Sequence, residues 1–281
     1  MGAQSQLGAQ MGAGEAATPP ILDAKHHASP PVFRPENLLR EARRQRRLPE
    51  LPVPEVCVLD PDGDIVRALR ADGRGRPFPG WACYHTEMLS FELAGSAVGI
   101  VGCAVGAPFA VLVAEQMFAS GCRLLLSVTS AGRIAQDLPD GACFVLIDRA
   151  LRDEGTSYHY LPAGDTFAHA DPALADLAAR AIAAAGFPPL RGAVWTTDAP
   201  FRETQEAIAW AAAQGVLAVE MEAAALYAFA CARDAAVLCF AHVTNRMARV
   251  KGDFEKGEAD GADEALRLLA TVVTSLRDQR G

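Results

Sequence analysis

The segment Gly215-Val-Leu-Ala-Val-Glu-Met-Glu-Ala-Ala-Ala-Leu226 joins a short apolar run to an alanine-rich run. The first run predicts a buried strand, and the second predicts a helix. Two carboxylates, Glu220 and Glu222, flank Met221 at the junction. Ligand groups collect at the carboxyl ends of parallel strands, so these acids are candidates for a binding site. The alternative is that they only occupy the first helical turn, where the helix dipole favours negative charge.

Apolar runs and helical patterns alternate on both sides of this segment. Strands are predicted at residues 56–59, 98–104, 123–128, 143–148, 193–197, 216–219 and 236–243. Helices are predicted at residues 108–120, 171–186, 221–231 and 262–276. This alternation predicts a single α/β domain over residues 51–281, with a central, mostly parallel or mixed sheet flanked by helices.

The first 50 residues have a different character. Residues 1–32 are rich in Gly, Ala, Gln and Pro without periodicity, which predicts a disordered tail. Residues 33–50 predict a basic amphipathic helix with Leu38, Leu39 and Ala42 on one side. The narrow apolar stripe favours a solvated face, or packing on a partner subunit, over membrane binding.

Composition excludes several classes of protein. The formal net charge of -8 argues against nucleic-acid binding. The seven cysteines lack any Cys-x-x-Cys pair and are typical of reduced thiols in a cytoplasmic protein. No spacing of His, Cys or carboxylates fits a metal site, so we expect no metal. Glycines and a proline interrupt the uncharged residues 95–114, and no secretory signal is present, so we expect no membrane contact.

Two polar segments follow predicted strands and are candidates for oxyanion binding. In Gly63-Asp64-Ile65-Val66-Arg67, backbone N–H groups and a guanidinium can bind an oxyanion, although a capped turn with a surface arginine has the same pattern. Ser127-Val-Thr-Ser-Ala-Gly132 ends another strand in small hydroxyl residues, which are equally common in a tight turn.

Two further strand ends are candidates for contacts to a planar ligand. Asp198 and Phe201 follow the strand at 193–197, although an aromatic side chain at a strand end often serves only packing. Asn245 ends the strand at 236–243. Its amide cannot act as a general acid, but it can donate and accept hydrogen bonds to a ligand.

The motif Val-Glu-Met-Glu-Ala at 219–223 closely resembles the ribose-binding motif of the nucleoside phosphorylase family, which includes uridine phosphorylase and hexameric purine nucleoside phosphorylase. Residues 63–67 are similar to the family's Gly-Asp-Pro-x-Arg phosphate loop, with isoleucine in place of proline. Residues 127–132 are similar to its Arg-x-Gly-Ser/Thr-x-Gly loop, but Ser127 and Thr129 replace the arginine and the first glycine. Residues 152–160 resemble the Arg-x-Asp-Gly-Ala-Ser-x-His-Phe segment of uridine phosphorylase.

The resemblance implies an enzyme that cleaves the N-glycosidic bond of a nucleoside with phosphate, giving a free base and ribose or deoxyribose 1-phosphate. It implies ribose binding by Glu220, Met221 and Glu222. It implies phosphate binding by Gly63, Arg67 and Ser130. It implies base binding by Asp198, Phe201 and Asn245, with Glu222 and Asn245 as the catalytic residues. Inorganic phosphate is then the co-substrate and no cofactor is needed. The partners implied are the nucleoside, phosphate and further copies of the chain in a homo-oligomer with shared active sites.

The departures from the family pattern leave two other functions open. Ser127 removes a phosphate-binding cation, for which Arg133 is the candidate substitute. Without a substitute, a hydrolytic nucleosidase that uses water is the alternative, and a non-catalytic nucleoside-binding protein is a third. Purine-cleaving hexameric members carry an aspartate where this chain has Asn245, which favours a pyrimidine or a 6-oxopurine base.

Overall fold

The structure is a computed structural model that describes residues 18–23, 25–187, 190–245 and 256–278, without the side chains of Glu258 and Asp278. The strands are β1 (Val56–Asp60), β2 (Arg76–Pro77), β3 (Leu89–Leu93), β4 (Ser96–Gly102), β5 (Leu124–Arg133), β6 (Cys143–Asp153), β7 (Phe167–His169), β8 (Arg191–Thr197), β9 (Val216–Glu220) and β10 (Ala236–Asn245). The α-helices are α1 (Pro35–Arg46), α2 (Asp64–Ala71), α3 (Ala107–Ala119), α4 (Pro172–Ala184), α5 (Gln205–Ala213), α6 (Ala223–Arg233) and α7 (Ala262–Asp278).

All of these strands belong to one sheet, in the order β10-β6-β8-β9-β5-β1-β4-β3-β2, with β7 on β6. Because β10 also pairs with β5, the strands β10, β6, β8, β9 and β5 close into a ring, and the others extend from it. The pairs β1–β5, β10–β5, β6–β8 and β8–β9 are parallel, whereas β10–β6, β5–β9 and β3–β4 are antiparallel. The predicted α/β fold with a central mixed sheet is confirmed.

Each predicted strand is present, but the elements around it differ in extent. β5 runs five residues and β10 runs two residues beyond their predicted ends, because these ends pair with each other and with β9 to close the ring. The segment predicted as a turn with an arginine is instead the helix α2, which buries Ile65 and Leu69. The uncharged residues 95–114 divide between β4 and α3. Among the described residues, no helix combines the length and apolar character needed to cross a bilayer.

Helix α6 is held firmly at the centre of the molecule. Every residue of 223–229 is buried, and the small alanines allow close packing against α3 and β6. The Tyr227 hydroxyl donates to the Ile147 carbonyl oxygen (2.6 Å) and accepts from the Cys239 N–H (3.0 Å), which ties α6 to β6 and β10. These contacts fix the position of the helix that carries Glu222 at its start.

The amphipathic helix predicted within 33–50 is α1, and it packs on its own chain. Leu39 and Ala42 are buried in a small cluster with Ala82, and Ala119 of α3 packs against them. Leu39 and Ala42 of the apolar stripe are thus covered within the chain, whereas Leu38 is half-buried and packing of the helix on a partner subunit stays a prediction. Of the tail predicted at 1–32, residues 1–17 and 24 lie outside the described residues, and the remainder forms turns.

Candidate active site

Glu220, at the end of β9, holds the beginning of α6. One carboxylate oxygen accepts from the backbone N–H groups of Glu222 (2.7 Å) and Ala223 (2.8 Å). The other accepts from the hydroxyl of Thr196, which is paired with Glu220 between β8 and β9. Both oxygens satisfy groups within the chain, including two of the free N–H groups of a helix start. Neither acid lies within the first turn of α6, which begins at Ala223, but the Glu220 carboxylate binds the N–H groups at its start from the end of β9.

Glu222 has a different environment. Its Oε1 accepts from the Gly106 N–H (2.6 Å) at the start of α3, and its Oε2 accepts from the Thr129 hydroxyl (2.8 Å) on β5. The residue is only 1% exposed, and this burial, followed by the nearby charge of Glu220, raises the pKa of Glu222 to about 8. Hydroxyl donors from a ligand would stabilise this carboxyl in the way Thr129 does. Met221 lies half-buried between the two acids.

The ends of β5 and β10 bring the other predicted residues to the same edge of the sheet. Thr129 pairs with Ala241, and Gly132 pairs with Asn245. The Asn245 amide nitrogen donates to the Thr244 hydroxyl (3.1 Å). Closure of the ring thus brings Asn245 to the end of β5 that carries Ser130, although Asn245 and Ser130 are more than a hundred residues apart in sequence.

The backbone N–H groups of the turn between β1 and α2 bind a carboxylate of the chain itself, that of Asp60. The Asp60 carboxylate accepts from the N–H groups of Gly63 (3.2 Å) and Val66 (2.9 Å), and so satisfies the positive end of α2. Gly63 has a φ of 78°, and a Cβ there would lie 2.6 Å from the Cys103 sulfur, so the turn needs glycine. Burial raises the pKa of Asp60 to about 7. The helix start predicted to bind phosphate is therefore occupied by a carboxylate of the chain.

Asp62 occupies the second predicted anion position. Its Oδ2 accepts from the Ser130 N–H (2.7 Å), and its Oδ1 accepts from the Ser130 hydroxyl (3.0 Å). The Asp62 side chain is 26% exposed, so it lies at the boundary between the buried Glu222 and solvent. Both Ser130 donors assigned to phosphate are thus bound to a carboxylate from the neighbouring loop.

The cations around this turn are paired with acids or carbonyls. Arg67 donates to the Asp62 carbonyl oxygen (3.0 Å) and to the Asp64 carboxylate, and 58% of its side chain is exposed. Arg133 donates to the carbonyl oxygens of Leu138 (2.8 Å), Pro139 (2.5 Å) and Gly141 (3.1 Å). Arg133 therefore does not replace the missing arginine at position 127, because its guanidinium holds the loop after β5.

The candidates at the end of β8 lie further out. Asp198 accepts from the Gly155 N–H (2.8 Å), which links the loops after β6 and β8. Phe201 lies on a short 3-10 turn (Pro200–Arg202) and is 100% exposed. The packing alternative for Phe201 is therefore wrong, since its ring contacts no core.

Comparison with known proteins identifies the family. Residues 55–276 match the sequence profile of the Phosphorylase superfamily. This chain is a member of the nucleoside phosphorylase family. The DeoD-type purine nucleoside phosphorylase of Myxococcus xanthus (strain DK1622) is 30% identical over 189 residues, which cover 66% of this chain and 79% of the relative. The predicted resemblance is confirmed.

Solved structures of this family share the fold. Uridine phosphorylase from Vibrio fischeri ES114 with 6-hydroxy-1-naphthoic acid gives a TM-score of 0.67 at 18% identity, covering 80% of this chain and 92% of that chain. AMP nucleosidase from Bacteroides thetaiotaomicron VPI-5482 gives a TM-score of 0.66 at 20% identity, and the match covers 81% of this chain and 91% of that chain. One is named a phosphorylase and the other a nucleosidase, so the choice between phosphate and water rests on the site residues of this family member.

Several residues of the site were not predicted from sequence. Asp62 was assigned no role, although the repeat of aspartates at positions 60, 62 and 64 could have marked it as a site residue. Thr129 was noted only as a replacement for a family glycine, and its hydroxyl now positions Glu222. Nothing in the sequence pointed to Gly106 or Thr196, because their contacts to Glu222 and Glu220 depend on the ring of strands. Among the described residues, no group of three His, Cys, Asp or Glu side chains is placed to hold a metal ion.

Because the site contains buried carboxyls with raised pKa values, we predict that the free energy of unfolding falls as the pH rises. Burial raises the pKa of Glu222 from 4.5 to about 8, so the folded state holds a proton that the unfolded state releases. The stabilisation is complete below pH 4.5 and is lost as the pH rises through about 8. The pKa values of Asp60 and Glu220 are each raised to about 7, so these two carboxyls change the stability in the same direction. We expect a lower melting temperature at pH 8.5 than at pH 5.5, measured by calorimetry.

The control for this prediction is Glu222→Gln, which keeps the shape of the side chain and removes its titration. The melting temperature of the variant should depend less steeply on pH between these values than that of the wild type. An equal slope for the two proteins would contradict the assignment of this titration to Glu222.

Proposed function

We propose that this protein hydrolyses the N-glycosidic bond of a nucleoside, with water in place of phosphate. The observation that carries the proposal is the Asp62 carboxylate, which accepts from both the N–H and the hydroxyl of Ser130. Sequence alone predicted phosphate at these donors. A carboxylate in that position can instead accept a proton from an attacking water.

The electrostatics of the loop support this choice. A phosphate at Ser130 would displace Asp62 and lie among the carboxylates of Asp60, Asp62 and Asp64. Two like charges 4 Å apart repel by about 4 kcal/mol at an effective dielectric constant of about 20, and phosphate carries more than one charge. The described cations do not reverse this balance: Arg67 and Lys256 are both paired with Asp64, and Arg133 is bound to backbone carbonyl oxygens.

The remaining residues divide the reaction between sugar, water and base. As the C–N bond breaks, positive charge develops on the sugar and negative charge on the base. Glu222, with Met221 against the sugar, would accept hydrogen bonds from the ribose hydroxyls, while Glu220 holds α6 in place. Asp62 would take a proton from the water as the water oxygen forms a bond to the anomeric carbon. The base leaves with the bonding electrons and takes a proton from solvent water, while the Asn245 amide would hydrogen-bond its edge without giving up a proton.

Phosphorolysis is the second candidate function. The turn from Gly63 to Arg67 and the hydroxyl of Ser130 match family phosphate motifs, and the Myxococcus xanthus relative is named a purine nucleoside phosphorylase. In this alternative, phosphate displaces Asp62 from Ser130 and attacks the sugar. Asp198 and Phe201 stay predictions as base contacts. The predicted homo-oligomer is supported by the full exposure of Phe201, which a neighbouring copy would cover. The cytoplasmic location also stays a prediction.

Measuring base release with and without phosphate tests the two functions. We expect chromatography of a panel of purine and pyrimidine nucleosides to show free base and free sugar after inorganic phosphate has been removed enzymatically. Arg67→Ala should hydrolyse at a rate within about threefold of the wild type, because exposed ion pairs contribute little.

Strict dependence on phosphate, with sugar 1-phosphate as the product and a large loss in Arg67→Ala, would replace hydrolysis by phosphorolysis. Binding of a nucleoside by calorimetry with no product under either condition would support the non-catalytic alternative.

A further inference from the structure

We propose that Lys256 is a positioning residue that orients the Asp62 carboxylate for its reaction with water. The inference rests on the proposed hydrolytic function and adds a residue to it. The Lys256 ammonium lies 2.5 Å from Asp64 Oδ2 and 3.8 Å from Asp62 Oδ1. It thus joins the two acids on either side of Gly63, from a position 192 residues further along the chain than Asp64.

Ser130 and Lys256 both contact the Oδ1 oxygen of Asp62. Oδ1 accepts from the Ser130 hydroxyl at 3.0 Å and faces Lys256 at 3.8 Å, while Oδ2 accepts from the Ser130 N–H at 2.7 Å. Ser130 therefore fixes the plane of the carboxylate, and Lys256 supplies the opposite charge. Only 14% of the Lys256 side chain is exposed, so solvent screens this pair less than a surface ion pair.

No other described cation near the turn has the same access to Asp62. The Arg67 guanidinium binds the carboxylate of Asp64 and only the backbone carbonyl of Asp62. His242 on β10 faces this cluster, but burial, and then the charge of Lys256, lowers its pKa to about 4. The His242 ring is therefore neutral at pH 7. Lys256 is left as the positive charge that separates the carboxylates of Asp62 and Asp64.

Loss of this ammonium should affect turnover more than binding. Without it, Asp62 and Asp64 repel each other, and Asp62 is held by Ser130 alone. Proton transfer depends steeply on the position of the accepting group, and an error of about 1 Å costs roughly a hundredfold in rate. The sugar-binding carboxyl of Glu222 is held by Gly106 and Thr129, which do not depend on Lys256. We therefore expect kcat to fall about 10- to 100-fold and KM to change by less than about threefold.

The test compares Lys256→Met, Lys256→Arg and the wild type in phosphate-free hydrolysis of the best nucleoside from the panel. Methionine keeps the length of the side chain and removes the charge, and arginine keeps the charge. Arg74→Met is the matched surface control, because Arg74 pairs with the exposed acids Asp72 and Asp263. Each rate, together with that of Lys256→Ala, whose short side chain leaves room for an amine, is measured with and without added methylammonium or ethylammonium chloride, and each melting temperature is recorded.

We expect a lower kcat in Lys256→Met and Lys256→Ala, partial recovery of kcat in Lys256→Ala with the added amine, and activity in Lys256→Arg within about fivefold of the wild type. Wild-type kcat in Lys256→Met would overturn the proposal. So would an equal loss in Lys256→Met and Lys256→Arg, with no recovery of Lys256→Ala by the amine. If the wild type itself releases base only with phosphate, the proposed function has failed; if it hydrolyses and Lys256→Met matches it, only the role of Lys256 has failed.

Discussion

Glu222→Gln is expected to lower kcat for base release by about a thousandfold, with little loss of folded protein. The amide keeps the volume of the side chain, and its oxygen still accepts from the Gly106 N–H. Unlike the Glu222 carboxyl, whose pKa is about 8, the amide cannot lose a proton as positive charge develops on the sugar, and such electrostatic interactions contribute roughly 10²- to 10³-fold or more in rate. Steady-state kinetics on the best nucleoside, with phosphate present and absent, measures the change.

Glu220→Gln is the matched control for this prediction, because Glu220 lies two residues away and has a different set of contacts. Its carboxylate holds the Glu222 and Ala223 N–H groups and the Thr196 hydroxyl. We expect its main effect to be a lower melting temperature, through a weaker start of α6. A Glu222→Gln enzyme with wild-type kcat would remove Glu222 from the chemistry, whichever nucleophile the enzyme uses.

Asp62→Asn should lower the rate of phosphate-free hydrolysis by about a hundredfold or more, because an amide does not take a proton from water. The asparagine oxygen can still accept from the Ser130 N–H, so the loop should remain in place. The rate is measured by base release after enzymatic removal of phosphate. Wild-type hydrolysis in this variant would show that Asp62 is not the proton acceptor.

Asp62→Ala separates the role of Asp62 as a base from its role at the anion position. Removal of the side chain frees the Ser130 N–H and hydroxyl. It also removes one negative charge next to them. We therefore expect hydrolysis to be lost and base release stimulated by phosphate to appear, with sugar 1-phosphate as the product. Phosphate stimulation that is equal in the wild type and in Asp62→Ala would contradict the view that Asp62 excludes phosphate.

Local sequence was sufficient for the elements and for one part of the site. The apolar run before Glu220 and the alanines after Glu222 determined β9 and α6, because strand and helix periodicities depend on near neighbours. A helix was predicted from residue 171, and Asp171 caps it, since its Oδ1 accepts from the Leu174 N–H at 2.7 Å. In contrast, α2 was missed, since its buried face is only Ile65 and Leu69. A helix this short is stabilised by tertiary packing more than by its own pattern.

The sequence by itself thus determined the α/β class, the family and the presence of paired acids at a strand-to-helix junction. Only the tertiary structure separated the roles of these acids, by placing Thr196 against Glu220 and Thr129 with Gly106 against Glu222. Only the tertiary structure placed Asp62 on Ser130 and Lys256 beside Asp62. The physical reason is that hydrogen bonds and ion pairs depend on distances of a few ångströms. When the partners are 68 or 192 residues apart, closure of the ring of strands sets those distances, and no local pattern records them.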